Sequence, residues 1–372
     1  MQYNEATARC WLEVDLDMLD ENVRSAQALL GEARLIPVLK GNAYGMGAIA
    51  IGKHLAHLEL LAVATVQEGL ALKRALPDTD IFVMGPSFGS DIDQAVEHGL
   101  IISMYTSTQA LRISDACKLQ NRIARVHVKM NTGLNRIGFD DPMDALSAMQ
   151  LPGINPIGVF THLALHNQAA DRAQLNRLQA AISIFERHGY HPPIVHALDS
   201  IGMVRYPNDH MDGARLGAWL YGVKPKGYEG GATCKLICKF KARIAQLRDV
   251  KSGEFIGYDD DHPLQADAKI ATIACGYADG YPRLTASGYA LVNGKKAPLR
   301  GLVCMDQFSV DVTGIDNVHE GMAVTLLGDA LGIDEYAAWL NLNRNDALSR
   351  ISRRVARVYY KQGICTEIVD HV

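Results

Sequence analysis

From about residue 34 to about residue 221 the chain repeats one unit: a short apolar run, a break, then a helical pattern. Apolar runs lie near 34–39, 60–66, 80–85, 100–104, 123–130, 156–162, 193–198 and 215–221. Amphipathic stretches at 48–58, 67–76, 91–97, 108–119, 141–149 and 171–188 separate them. Short apolar runs alternating with helices predict parallel strands joined by crossover helices. Eight such units predict an α/β fold, a (β/α)8 barrel, with its chemistry at the C-terminal ends of the strands. An open doubly wound sheet would alternate in the same way, so periodicity alone leaves closure open. Ser107 and Asp141 stand where N-caps are expected, and Gly189 where the longest helix should stop.

After about residue 235 the texture changes. Strand-like stretches at 240–247, 269–274, 289–292, 307–312 and 322–327 follow one another through Gly- and Asp-rich turns, with one helical pattern at 334–340. This predicts a mostly β second domain. A strand at 9–14 precedes the first helix, 17–30. The expected division is therefore 1–14, an N-terminal strand packing on the C-terminal domain; 15–234, the barrel; and 235–372, the mostly β domain.

Charge narrows the function classes. Thirty-seven basic residues against 41 acidic ones, with no basic block, argue against nucleic acid as a partner. The longest apolar stretches, such as 60–64, are too short to span a bilayer, and Met1-Gln2-Tyr3-Asn4-Glu5 lacks a signal-peptide pattern. Seven scattered cysteines fit reduced thiols, so a cytoplasmic location is expected. Cys234 and Cys238 have no usual zinc spacing, and the pairs His54/His57 and His162/His166 have no obvious carboxylate or thiolate companions in the sequence. No metal is expected.

Lys40 ends the apolar run Leu35-Ile36-Pro37-Val38-Leu39 and opens into Gly41-Asn42-Ala43-Tyr44-Gly45-Met46-Gly47. Burial there would disfavour the ammonium and leave a nucleophilic amine, suited to a Schiff base with a carbonyl cofactor. A strand-end lysine can also simply snorkel to water. Other strand ends carry Arg136, His162, Ser200, Arg215 and Gly217, and the second domain adds 276–283 and 304–307. Each has an ordinary structural reading by itself. Their succession at neighbouring strand ends favours a site.

The ordered motifs VLKGNAYGMG, RLGAWLYG, GYADGYPR and CMDQ resemble the alanine racemase family over essentially the whole chain. The resemblance implies a pyridoxal 5'-phosphate enzyme that interconverts L- and D-alanine and supplies D-alanine for cell-wall peptidoglycan. It implies a homodimer with shared active sites and a small amino-acid substrate. Lys40 resembles the lysine that holds the cofactor and acts as one base. Tyr277 resembles the opposite base, contributed by the partner subunit. Arg215 matches the arginine facing the pyridine nitrogen, and His162 the histidine linking that arginine to the tyrosine. Tyr44, Ser200 and Gly217 match positions around the phosphate. Arg136 matches the arginine near the phenolic oxygen and substrate carboxylate, and Lys129 a lysine often carbamylated beside it. Met305 and Asp306 match the partner-subunit loop that meets the substrate.

Four positions depart from the pattern. Arg353, counted with the cofactor-binding residues, stands where relatives carry a tyrosine that touches the phosphate. Ala356 replaces a customary proline, Leu302 an arginine and Asn167 an acidic residue. These changes open a second expectation, a serine or dual serine/alanine racemase. A pyridoxal-phosphate decarboxylase would share Lys40 and the phosphate site but has no need of a second base such as Tyr277.

Overall fold

The computed structural model describes residues 8–258, 262–284 and 287–370. The first seven residues of the expected 1–14 segment, and 259–261, 285–286 and 371–372 of the second domain, lie outside the described residues.

Eight short strands carry the first domain: β2 (Arg34–Pro37), β3 (Leu60–Val63), β4 (Asp80–Val83), β5 (Ile101–Met104), β6 (Ala124–Lys129), β7 (Ile154–Phe160), β8 (Val195–His196) and β9 (Gly213–Leu216), preceded by β1 (Cys10–Asp15). All pairings are parallel, in the order β2-β9-β8-β7-β6-β5-β4-β3. The two ends of that order meet: Val38 bridges Ala62 in parallel, and the Leu39 N–H donates to the Ala62 carbonyl at 2.7 Å. The sheet is a closed barrel, which decides between the two architectures that alternation allows. Phe82 of β4 and Phe160 of β7 meet edge to face at 5.3 Å although their strands are not neighbours, so the contact runs through the barrel interior.

The eighth strand stops earlier than its apolar run. Gly217 accepts from Leu220 at 2.9 Å, and Gly222 has φ +84°, so 217–222 turns back while Trp219, Leu220 and Tyr221 stay buried. The apolar character there records burial outside the sheet. Thr106, not Ser107, caps the helix at Ser107–Gln120, its side chain accepting from Gln109 N–H. Asp141 caps the helix at Pro142–Met149 as expected. The longest helix runs Gln168–Arg187, and Gly189, at φ +82°, follows the His188 cap.

The second domain is a nine-stranded sheet built on β10 (Cys238–Val250), with β11 (Ala268–Ile273), β12 (Tyr289–Val292), β13 (Lys295–Arg300), β14 (Phe308–Asp311), β15 (Ala323–Leu327), β16 (Ala356–Lys361) and β17 (Ile364–Val369). β1 lies inside it, antiparallel to β10 and parallel to β16. The N-terminal strand thus docks on the second domain, and the chain crosses between domains at both ends of the barrel. Strands β13, β16 and β17 and the helix Arg344–Ser349 carry mixed polar sequences that hid them from pattern reading. No helix among the described residues is long and apolar enough to cross a membrane.

Candidate active site

A cavity of about 510 Å³ opens at the C-terminal ends of the barrel strands. Its walls hold Lys40, Tyr44, Lys129, Arg136, His162, Ser200, Arg215 and Gly217, so eight separated sequence positions converge on one site.

Lys40 starts a left-handed turn in which Gly41, Asn42, Ala43 and Tyr44 all have φ between 54° and 62°. Non-glycine residues there cost about 1–2 kcal/mol each, so the turn persists only where its surroundings hold it. They do so from two sides. Glu68 accepts the Gly41 N–H at 2.7 Å, and its other oxygen accepts from Ala64 at 2.9 Å. From the second domain, Arg357 donates to the Gly45 carbonyl at 2.9 Å and the Tyr359 hydroxyl to Met46 at 2.8 Å. Gly47 is glycine because a Cβ there would lie 1.9 Å from the Tyr359 hydroxyl. Lys40 faces the cavity mouth, with its pKa lowered by burial and then by the charges of Arg136 and Arg215. Its neutral amine is favoured, which a nucleophile or base requires.

Arg215 is buried and donates to His196 Nδ1, to the carbonyls of His196, Thr161 and Ala197, and to His162 Nδ1 at 3.1 Å. A guanidinium only donates, so both histidines accept through Nδ1 and carry their proton on Nε2. His196 Nε2 then donates to His127 Nδ1 at 2.8 Å. Burial, reinforced by Arg215, holds His162 down to about 2 and His127 to about 3. The same causes push His196 well below its ordinary value. The result is a wire of neutral imidazoles with assigned tautomers, ending at the His162 Nε2–H. Phe160 stacks on His196 at 5.0 Å and lies under both Arg215 and Lys129.

Lys129 is buried, and its pKa falls to about 7 through burial and the nearby charges of Arg136, Arg215 and Lys40. Four basic side chains, Lys40, Lys129, Arg136 and Arg215, line the cavity against one carboxylate, Asp199, whose oxygen is engaged with the N–H groups of Ile201 and Gly202; the two guanidiniums cannot shed their charge. Such a surplus of positive charge recruits anions.

Pyridoxal 5'-phosphate fits these residues. A Cβ on Gly217 would sit 2.5 Å from the Tyr44 hydroxyl, so glycine leaves room for a cradle in which Ser200 already receives the Trp219 N–H at 3.2 Å. Hydroxyl and backbone donors suit a phosphate, the lysine suits the aldehyde, and the fixed Arg215 suits a pyridine nitrogen.

Three expected residues lie elsewhere. Tyr277, Met305 and Asp306 line a separate recess of about 590 Å³ on the second domain, together with Leu302. Tyr277 is 40% exposed and Met305 52%. The Tyr277 and Ala278 N–H groups donate to the carbonyls of Cys304 and Met305, joining the two motifs. Asp279 anchors the turn: it is buried, pairs with Arg9 and with Arg354 at 3.0 Å, and accepts from Gly276 N–H at 2.9 Å. Arg354 also reaches Asp306 at 2.6 Å. Cys10 and Cys275 lie within 4.8 Å of Asp279, but its carboxylate is already held by the two arginines. Arg353 is exposed and does not line the Lys40 cavity. Asn167 caps the longest helix, accepting from Ala170 N–H at 2.9 Å.

Sequence reading missed His127, His196, Glu68 and Asn345, which also line or support the cavity. His127 had a usable signal: it sits two residues before Lys129 on β6 and so shares its inward face.

Residues 14–225 match the family model described as alanine racemase, N-terminal domain, and 237–359 that of the C-terminal domain. The chain is 32% identical over 370 residues to alanine racemase 1 of Caldanaerobacter subterraneus subsp. tengcongensis, covering 95% of each. It superimposes on alanine racemase of Clostridium difficile 630 with TM-score 0.95 at 27% identity, covering 98% of this chain and 99% of that one. A Bartonella henselae alanine racemase with covalently bound pyridoxal phosphate aligns at TM-score 0.83 and 25% identity, covering 95% of this chain and 100% of that one. Matched in both domains and along nearly its full length, the chain belongs to the alanine racemase family and is an isomerase of the racemase class.

Proposed function

We propose that this chain racemises alanine in the cytoplasm, as a homodimer that holds pyridoxal 5'-phosphate in the Lys40 cavity and provides D-alanine for peptidoglycan. The observation that carries this reading is the division of the site. Lys40 and the cofactor cradle occupy the barrel, while Tyr277, Met305 and Asp306 stand on an exposed second-domain face.

When bound, the cofactor supplies the electron sink that acidifies the substrate's α-carbon. The residues of the chain do the rest. Lys40 Nζ, whose proton affinity is lowered by burial and by the charges of Arg136 and Arg215, takes or returns the α-proton on one face. Tyr277 of a second copy serves the opposite face, and two bases on opposite faces invert the centre without rotating the substrate. Arg136 holds the substrate carboxylate. Arg215, locked by five hydrogen bonds and unable to give up its proton, would face the pyridine nitrogen of a bound cofactor without protonating it, which would restrain side reactions. His162 offers its Nε2–H toward the cavity and orients the incoming phenol. The neutral fraction of Lys129, about half near pH 7, attacks dissolved carbon dioxide, forming an N–C bond while one N–H proton is lost to solvent, and the resulting carbamate anion braces Arg136.

Mixing Lys40→Ala and Tyr277→Phe proteins under conditions of subunit exchange tests the shared site. Recovery of about a quarter of wild-type activity is expected, since hybrid dimers restore one site. No recovery despite demonstrated exchange would place each site within one chain.

A further inference from the structure

Resting on the cofactor reading above, one second-domain residue acquires a role. Asn345 is the second-domain side chain among the residues that line the Lys40 cavity. Its helix, Arg344–Ser349, is wedged between the two segments that form the phosphate cradle. On one side it packs on the Lys40–Tyr44 turn, so closely that a Cβ on Gly45 would lie 2.6 Å from the Leu348 carbonyl. On the other, Arg344 donates to the Lys224 carbonyl at 2.7 Å, just past the turn that starts at Gly217. Asn345 therefore sits at the Tyr44–Gly217 end of the cavity.

The side chain is held by its backbone and little else. Its backbone N–H donates to Asn343 Oδ1 at 2.8 Å, while its own amide oxygen is buried without a partner. A buried, unsatisfied amide oxygen is unusual and marks a group waiting for a partner or free to turn. Asn345 lines the cavity, and a turn about its terminal bond presents the amide nitrogen there. An amide in this condition loses no hydrogen bond by swinging toward an anion, and its N–H groups are donors that a phosphate lacks.

We propose that Asn345 is a cofactor-anchoring residue whose amide donates to the phosphate of pyridoxal 5'-phosphate. It would close the cradle of Tyr44, Ser200 and Gly217 from the second domain, a position that the exposed Arg353 does not reach. Cofactor release would then be coupled to the packing of the two domains.

The test compares two ligands on the full-length protein stripped of cofactor: pyridoxal 5'-phosphate and pyridoxal, which lacks the phosphate. Binding is read by equilibrium dialysis and by the visible absorbance of the bound cofactor. Asn345→Ala should raise the Kd for pyridoxal 5'-phosphate about ten- to a hundred-fold, the usual scale for a hydrogen bond to a charged group. Its Kd for pyridoxal should stay within about two-fold of wild type, which also shows that the variant is folded. Asn345→Asp, close in shape but negative, should weaken the phosphorylated ligand further and spare pyridoxal. Equal losses for both ligands, or none for either, would overturn the assignment. Failure of the unaltered protein to bind pyridoxal 5'-phosphate would instead overturn the cofactor reading itself.

Discussion

Arg357 of β16 donates its Nε to the carbonyl of Gly45, 2.9 Å away, and so ties the second domain to the turn that begins at Lys40. The guanidinium is fully buried and, among the described residues, meets no carboxylate. It is satisfied by the carbonyls of Gly45, Ser352, Val355 and Ile351. Burial lowers its pKa to about 10, still well above neutrality, so it stays charged. The turn that begins at Lys40 is thus held by hydrogen bonds from a strand more than 300 residues away in sequence.

Removing that tie leaves several buried carbonyls unpaired. Arg357→Met should lower the unfolding free energy by about 3 kcal/mol. In the folded fraction, kcat should fall with little change in KM, because the turn carrying Lys40 loosens while the walls that hold substrate do not. Arg357→Lys, which keeps one donor near Gly45, should recover part of kcat. Urea unfolding and steady-state kinetics on the two variants check this. Equal kcat in all three proteins would contradict it.

The imidazole wire makes a spectroscopic prediction. His127, His162 and His196 should remain neutral from pH 5 to 8, with Nδ1 unprotonated in His162 and His196. Nitrogen-detected spectra of histidine-labelled protein should show three non-titrating rings with this tautomer. Titration of any of them near 6.5 would show that Arg215 does not direct the proton positions.

Lys129 predicts a pH dependence with a definite sign. Its folded pKa, about 7, lies below the unfolded value of about 10.4. Between these values the unfolded chain binds one more proton, so stability rises with pH across that window. Below about pH 7 both states are protonated and the full burial penalty applies. Lys129→Met should flatten this slope in bicarbonate-free buffer. Added bicarbonate should stabilise the parent protein alone, with an intact-mass gain of one carbon dioxide. A variant with the parent's slope and no bicarbonate effect would remove Lys129 from the account.

Legibility in the sequence followed local physics. All eight barrel strands were visible because buried parallel strands are short apolar runs, and the barrel site could be read because its residues follow those runs. Closure was not visible, since the bridge between Val38 and Ala62 is a tertiary fact. The eighth strand was read too long because Trp219, Leu220 and Tyr221 are as apolar as a strand but bury in a turn. His127 and His196 were passed over because lone histidines in separate strands gain meaning only when the barrel brings them within 2.8 Å. Asn345 lies in a short polar helix, and no periodic signal marks a side chain that the fold turns into the barrel cavity.

Chiral amino-acid analysis after incubating the pyridoxal-phosphate-loaded protein with L-alanine, and separately with L-serine, tests the central claim most directly. The account predicts that L-alanine converges on a near-equal mixture of enantiomers. In deuterated water it also predicts deuterium at the α-carbon of both. Lys40→Ala should abolish the conversion. D-serine formed at a comparable rate would widen the substrate class to serine. Failure to form D-alanine by protein with bound cofactor, or release of carbon dioxide in its place, would contradict the account.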